Sequence, residues 1–173
     1  MVPRAVEVIR SAEPSDVRAV CEFGETHVRP HYAPLIGEHA ADAQVARWWN
    51  AEQIGAAVSA GLIVVAEAAD GVVGVAQLGR AGVDHVIYKL YVDPRHRSHG
   101  LGPRLIEALV RRLPPDATRL CVEHFAGNER ASAFYEREGF TVERVDPSPV
   151  DDPALDVVWR VRALPGASGR QGP

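Results

Sequence analysis

The apolar positions of the chain fall into two periods. Leu101, Leu105, Ile106, Leu109, Val110 and Leu113 recur at helical spacing and predict an amphipathic helix over 101–113, closed by Leu113-Pro114-Pro115-Asp116. Before it, Val86-Ile87-Tyr88-Lys89-Leu90-Tyr91-Val92 is rich in β-branched and aromatic residues and reads as a strand. Asp93-Pro94 ends that strand, because proline donates no ladder bond. Further strands are predicted at 6–12, 62–68, 72–78, 118–126, 140–145 and 156–161. Asp70-Gly71 marks a hairpin between the second and third of the chain's strands. A helix is expected to start at Glu13-Pro14-Ser15-Asp16 and to end around Val28, where Pro30 and Pro34 interrupt it. A second is expected over 41–60, with Val45, Trp48, Trp49, Ile54, Ala57 and Val58 on its apolar side. A last helix follows Asn128 and stops at Gly139. The helix at 101–113 crosses over between the strands at 86–92 and 118–126, so those two should run parallel. The expectation is an α/β (α+β) fold with a mixed, mostly antiparallel sheet of about seven strands, flanked by about four helices.

Length and composition narrow this little. The chain has 173 residues and 46% apolar residues, which suits one domain over 1–164. The glycine- and proline-rich tail at 165–173 is expected to be disordered. A net charge of −4 gives no electrostatic case for nucleic acid or for an anionic membrane. Cys21 and Cys121 stand far apart and form neither a disulfide framework nor a zinc motif. No window approaches the ~20 apolar residues of a membrane span. Met1 to Arg10 lacks the apolar segment of a signal peptide, so a cytoplasmic location is expected.

Chemistry concentrates in the turn between strand and helix, Asp93-Pro94-Arg95-His96-Arg97-Ser98-His99-Gly100-Leu101-Gly102-Pro103. Backbone N–H groups at a helix N-terminus suit a phosphate or pyrophosphate, glycines let it approach, and Arg95, Arg97 and His99 add positive charge. The loop is not a P-loop, since no Gly-x-x-x-x-Gly-Lys-Ser/Thr run exists. Nor is it a dinucleotide fingerprint, since a third glycine is missing. Arg97-Ser98-His99-Gly100-Leu101-Gly102 instead resembles the Arg/Gln-x-x-Gly-x-Gly/Ala acyl-CoA loop of the GNAT acetyltransferase superfamily. Downstream, Asn128-Glu129-Arg130-Ala131-Ser132-Ala133-Phe134-Tyr135 with Gly139-Phe140 resembles that family's Asn-x-x-Ala-x-x-Phe/Leu-Tyr-x-x-x-Gly-Phe block at every fixed position. The two blocks cover roughly residues 84–145.

The resemblance implies a GNAT-like fold whose parallel strand pair splays to admit coenzyme A, and transfer of an acetyl group from acetyl-CoA to a primary amine. It assigns the pyrophosphate to Arg97, Ser98, His99, Gly100, Leu101, Gly102 and Pro103. The pantetheine arm falls to the backbone of Tyr91 and Val92, with Asn128 as a further polar contact. Pro103 departs from the pattern by lacking an N–H, although proline is favoured in a first helical turn. Tyr135 matches the tyrosine that stands beside the thioester sulfur as general acid, and Glu123 is the candidate base by its spacing. Cys121 shares Glu123's face and offers an alternative acetyl-cysteine route, whereas His124 should face the other way. In such folds the loop between the first two helices covers the acceptor, so Glu25, His31, Tyr32, Asp42 and Trp48 are the candidate substrate contacts. His27, His31 and His39 have helix-like spacings, but Pro30 and Pro34 argue against a shared metal, and none is expected. A small-molecule amine is the leading acceptor. A protein N-terminus or lysine, and a non-catalytic acyl-CoA sensor, are the alternatives. The family often dimerises, so a homodimer is consistent with the resemblance.

Overall fold

The computed structural model describes residues 6–165; of the expected disordered tail all but Pro165 lie outside them. One seven-stranded sheet runs in the order β1-β2-β3-β4-β5-β7-β6, with β1 Val8–Ser11, β2 Ile63–Ala68, β3 Gly71–Ala81, β4 Asp84–Val92, β5 Arg119–Phe125, β6 Thr141–Asp146 and β7 Val157–Ala163. The β1–β2 and β2–β3 pairs are antiparallel, as are β5–β7 and β6–β7. The expected parallel pair is present, with His85, Val86 and Ile87 of β4 beside Leu120, Cys121 and Val122 of β5. Ala68 pairs with Gly71 across the predicted hairpin, and Gly71 takes the positive φ of +110° that the turn requires. The chain packs as two compact units, 6–77 with Lys89–Leu109 and Leu78–Tyr88 with 110–165.

The first unit holds helices α1 Val17–Phe23, α2 Arg29–Ile36, α3 Glu38–Trp48, α4 Ala51–Ser59 and α5 Leu101–Val110. Here two expectations are corrected. The prolines do not end the first helix near Val28. A π turn over Gly24–Val28 joins α1 to α2, and the caps on both sides stay in the right-handed helical region. The wider i→i+5 turn rearranges the hydrogen-bond ladder just ahead of Pro30, which then falls in the first turn of α2, where its missing N–H is tolerated. The helix expected over 41–60 is two helices. Asn50 leaves helical geometry (φ −93°, ψ 165°) and its side chain accepts from the Gln53 N–H, starting α4. Because the chain turns there, Trp48 and Trp49 part company. Trp49 is buried, whereas Trp48, expected on the apolar side, is exposed with the Arg47 guanidinium 4.9 Å from its ring centre. Asn50-x-x-Gln53 was the local signal for the break.

The core of this unit joins Val20, Phe23, Val28, Val45, Trp49, Ile54 and Val58 to strand residues Ile63, Val65 and Val75. On α5 the predicted stripe is buried at Leu101, Leu105, Ile106 and Leu109. Gly24 is where π turn and core meet, since a Cβ there would stand 2.7 Å from the Trp49 ring.

The second unit is built on β5, β7 and β6 with helix α6 Glu129–Arg137. Asn128 caps α6, its Oδ1 accepting from the Ala131 N–H at 3.1 Å. At the other end Gly139 (φ +84°) donates to the Glu136 carbonyl and Phe140 to that of Tyr135, the paired bonds of a Schellman cap. The Phe140 ring then packs edge-on to Tyr135, with centroids 5.5 Å apart.

Gly24→Ala is expected to cost about 1–3 kcal/mol through overpacking against Trp49. Gly55→Ala on α4, where a Cβ meets open space, is expected to gain about 0.5–1 kcal/mol. Urea unfolding of both variants against the parent chain checks the pair.

Candidate active site

The glycine loop starts from a buried carboxylate. Asp93 follows β4 and is 1% exposed. Its N–H donates to the Val73 carbonyl at 2.8 Å, and its carboxylate accepts from the Arg95 N–H at 2.9 Å and from Arg95 Nη2 at 2.7 Å. His27 Nε2 lies 3.6 Å from it. The Arg95 guanidinium, above all, holds the Asp93 carboxyl down at about 2. Arg97, expected at the rim, turns its Nε to the Val92 carbonyl at 3.1 Å and so braces the loop. Ser98 and Gly100 both take left-handed backbone, φ +63° and +73°. Ser98, His99 and Gly100 are exposed, and a Cβ at Gly100 would meet nothing within 4 Å. Then α5 begins, with Leu101, Gly102 and Pro103 in its first turn. N–H groups at such a helix start have no intrahelical acceptor. The loop thus offers an open, glycine-lined helix start with positive side chains nearby, which fits a pyrophosphate.

The same unit gathers an aromatic group. The Tyr32 and Tyr91 hydroxyls are 2.6 Å apart, and His31 stands edge-on to both rings, with centroids at 5.2 and 6.2 Å. Trp49 packs edge-on to Tyr91 at 5.5 Å. Lys89, 8% exposed, donates to Gln77 Oε1 at 2.7 Å and sits 5.3 Å from the Trp49 ring centre. Burial lowers the Lys89 ammonium to about 8. So His31 and Tyr32, two of the expected substrate contacts, do come together, and with them the side chain of Tyr91. Lys89, Trp49 and Gln77 were not foreseen as site residues. Alternation along β4, which puts Lys89 on the face of Tyr91, is the signal that could have found the lysine. Glu25 and Asp42 are instead exposed and both pair with Arg29.

In the second unit Tyr135 is buried beneath three rings. His124 stacks on it at 6.0 Å, Phe134 meets it at 5.2 Å, and Phe140 closes the far side. His124 is held at both nitrogens. Nδ1 donates to the Phe125 carbonyl at 2.9 Å, and Nε2 accepts from Arg160 Nε at 3.0 Å. Those partners require a neutral ring protonated at Nδ1, and burial lowers its pKa in the same sense. Arg160 is buried as well, and its other donors reach the Phe140 carbonyl at 3.2 Å and Ser132 Oγ at 2.8 Å. Arg160 and Ser132 are thus supports of Tyr135's surroundings that the sequence did not single out. Glu123 is exposed on β5 and pairs in register with Trp159. Strand alternation puts it on the opposite face from His124. Cys121 is fully buried, and burial pushes its thiol up to about 11.

Comparison with known proteins agrees with this arrangement. Residues 59–142 match the family model described as an acetyltransferase (GNAT) domain. No curated protein matches the sequence. Among solved structures, the PaiA N-acetyltransferase of Thermoplasma acidophilum in complex with coenzyme A superposes with a TM-score of 0.74 at 17% identity, covering 92% of this chain and 99% of that one. The ribosomal-protein-S18-alanine N-acetyltransferase of Escherichia coli gives 0.65 at 20% identity, covering 97% and 99%. YncA of Salmonella typhimurium, a putative acetyltransferase with its cofactor acetyl-CoA, gives 0.66 at 22%, covering 96% and 99%. The fold is that of the GNAT enzymes. The chain belongs to the GNAT acetyltransferases, the family whose acetyl donor is acetyl-CoA.

Lys89 gives a pH signature. Its pKa is about 8 when folded against an ordinary 10.5, so between those values the unfolded chain binds the extra proton. Stability is therefore expected to rise with pH across that window, by up to about 1.4 kcal/mol per pH unit, and to lose this gain as pH falls to 8. Lys89→Met should flatten the rise, as read by urea unfolding across the same window.

Proposed function

We propose that the chain is a small-molecule amine N-acetyltransferase that moves the acetyl group of acetyl-CoA directly to its acceptor. The observation that carries the acceptor reading is the half-buried group of His31, Tyr32 and Tyr91 against Trp49 and Lys89. Hydroxyls, an imidazole and ring faces gathered so closely suit a compact ligand with a few polar atoms.

In this reading the amides of residues 98–102 and the positive end of α5 hold the pyrophosphate, with His99 beside them. Pro103 contributes backbone shape and no hydrogen bond. The β4 backbone at Tyr91 and Val92 takes the pantetheine amides as an added strand would. Asn128 starts α6 and is a further polar contact to the donor. Acetyl-CoA, when bound, supplies a thioester. Tyr135 holds a phenolic proton for the departing thiolate, and the stack of His124, Phe134 and Phe140 fixes its ring. Glu123, directly or through water, accepts the proton that the ammonium must lose before it can attack. General acid or base help of this kind is worth on the order of 10²–10⁴ in rate. The buried, protonated Cys121 thiol supports direct transfer over an acetyl-cysteine intermediate.

A second reading, a protein N-terminal or lysine acetyltransferase, rests on the exposed Glu123 and its spacing of five and twelve residues to Asn128 and Tyr135. Its acceptor would be a peptide amine.

Thiol release from acetyl-CoA, measured against pools of amines, amino acids, polyamines, aminoglycosides and short peptides, tests both. Release that depends on a small-amine pool and falls at least about a hundredfold in Tyr135→Phe is expected. Dependence on the peptide pool alone would favour the second reading. Equal turnover in Tyr135→Phe would remove Tyr135 from the mechanism. Acetyl-CoA binding without release from any pool would point to a sensor.

A further inference from the structure

Glu7, directly before β1, lies beside two histidines about ninety residues on. Its Oε1 is 3.4 Å from His96 Nδ1 and 3.5 Å from His99 Nδ1, and the three donor atoms all lie within 4.8 Å of one another. All three belong to the first compact unit. Nitrogen-to-oxygen hydrogen bonds are normally about 2.7–3.2 Å long, so both contacts are loose for that purpose. They match a different geometry. Around a tetrahedral zinc with bonds of about 2.1 Å, neighbouring donors stand about 3.4 Å apart. Two imidazole nitrogens and one carboxylate oxygen, with a fourth position left for water, make a donor set that suits Zn²⁺, Ni²⁺ or Co²⁺ better than Mg²⁺ or Ca²⁺.

The surroundings fit as well. Arg104 Nη2 donates to the Glu7 carbonyl at 2.8 Å and fixes the backbone that presents the carboxylate. Asp70 Oδ1 lies 3.8 Å from His96 Nε2, on the ring's far side from Glu7. A carboxylate outside a ligating histidine, facing its second nitrogen, is the usual support of such a ligand. The side chains of Glu7 and His96 are mostly covered, and that of His99 is one-third exposed, which leaves a way in.

We propose that Glu7, His96 and His99 form a binding site for a divalent transition-metal ion of the zinc type, which ties the entry to β1 to the glycine loop. This differs from the metal-free expectation, which weighed only His27, His31 and His39. His27 faces Asp93, His31 faces two tyrosines, and His39 is exposed on α3. Glu7 is ready to serve as a ligand: its carboxyl is held below the usual range, first by its own backbone amide and then by the two histidines. A bound ion would pin His99 within the loop that carries Ser98 and Gly100, so the loop would be tethered at its middle as well as at Asp93.

Titration of the tag-free chain with ZnCl₂, followed by calorimetry and by thermal melting, tests the site. One ion per chain and a higher melting temperature are expected. Co²⁺ in place of zinc should give the intense visible absorption of a tetrahedral ion. His96→Ala, His99→Ala and Glu7→Gln should each weaken binding by at least about tenfold, and Asp70→Asn less than any of them. His39→Ala should bind as the parent does. His99→Ala changes the most exposed of the three, so it serves if His96→Ala does not fold. Saturable binding that survives all three ligand variants, a cobalt spectrum like that of the aqueous ion, or no saturable binding at all would overturn the assignment.

Discussion

A buried carboxylate, that of Asp93, decides where β4 ends and the glycine loop begins. Taking a carboxylate out of water is costly, and the cost is offset only where charge-assisted bonds meet it. Asp93 receives the Arg95 backbone and guanidinium on one side and has His27 on another, while its own amide is tied to Val73. The chain cannot continue as a strand past that point, because Pro94 has no N–H to give. From this anchor the left-handed turns at Ser98 and Gly100 bring the backbone to the start of α5, and the buried stripe of α5 holds the helix on the sheet. An anion-binding loop made mostly of main chain needs such fixed ends, since its own side chains contribute little packing.

The second unit meets a similar demand with a cation. Arg160 is buried, and its donors go to an imidazole, a carbonyl and a serine hydroxyl. Each of those acceptors belongs to a different segment around Tyr135: β5, the C-terminal cap of α6, and α6 itself. One guanidinium therefore keys three pieces of chain to the ring that the proposed chemistry uses, and it fixes the His124 tautomer as it does so.

What could be read from the sequence was what local physics decides. Asn128 and Gly139 bound α6 because a cap oxygen and a left-handed glycine act within a few residues, and Gly71 marked its hairpin for the same reason. The strands and α5 were legible from periodicity, to within a residue or two at most ends. The π turn was not. Pro30 and Pro34 argue for a stop, and what outweighs them is burial of Phe23, Val28 and Trp49 in a common core, with Gly24 against the Trp49 ring. Trp48 and Trp49 were indistinguishable until the Asn50 break set their directions. The glycine loop and Tyr135 stood out by motif, whereas Lys89, Gln77 and Arg160 carry no local signal. Glu7 could not be joined to His96 and His99 in one dimension, because only the sheet brings them together.

The π turn has a bearing on how such a chain varies in length. An α-helix advances about 100° per residue, and a π turn accommodates one residue more than the α ladder would. Loss of a single residue between Gly24 and Val28 would restore a plain helix and swing everything after it by about 100°. His31 and Tyr32 would leave Tyr91, while the glycine loop would keep its sequence unaltered. The number of residues in this stretch, more than their identity, thus sets which side chains the far end of the helix delivers, and a one-codon deletion is a short evolutionary route to a different acceptor.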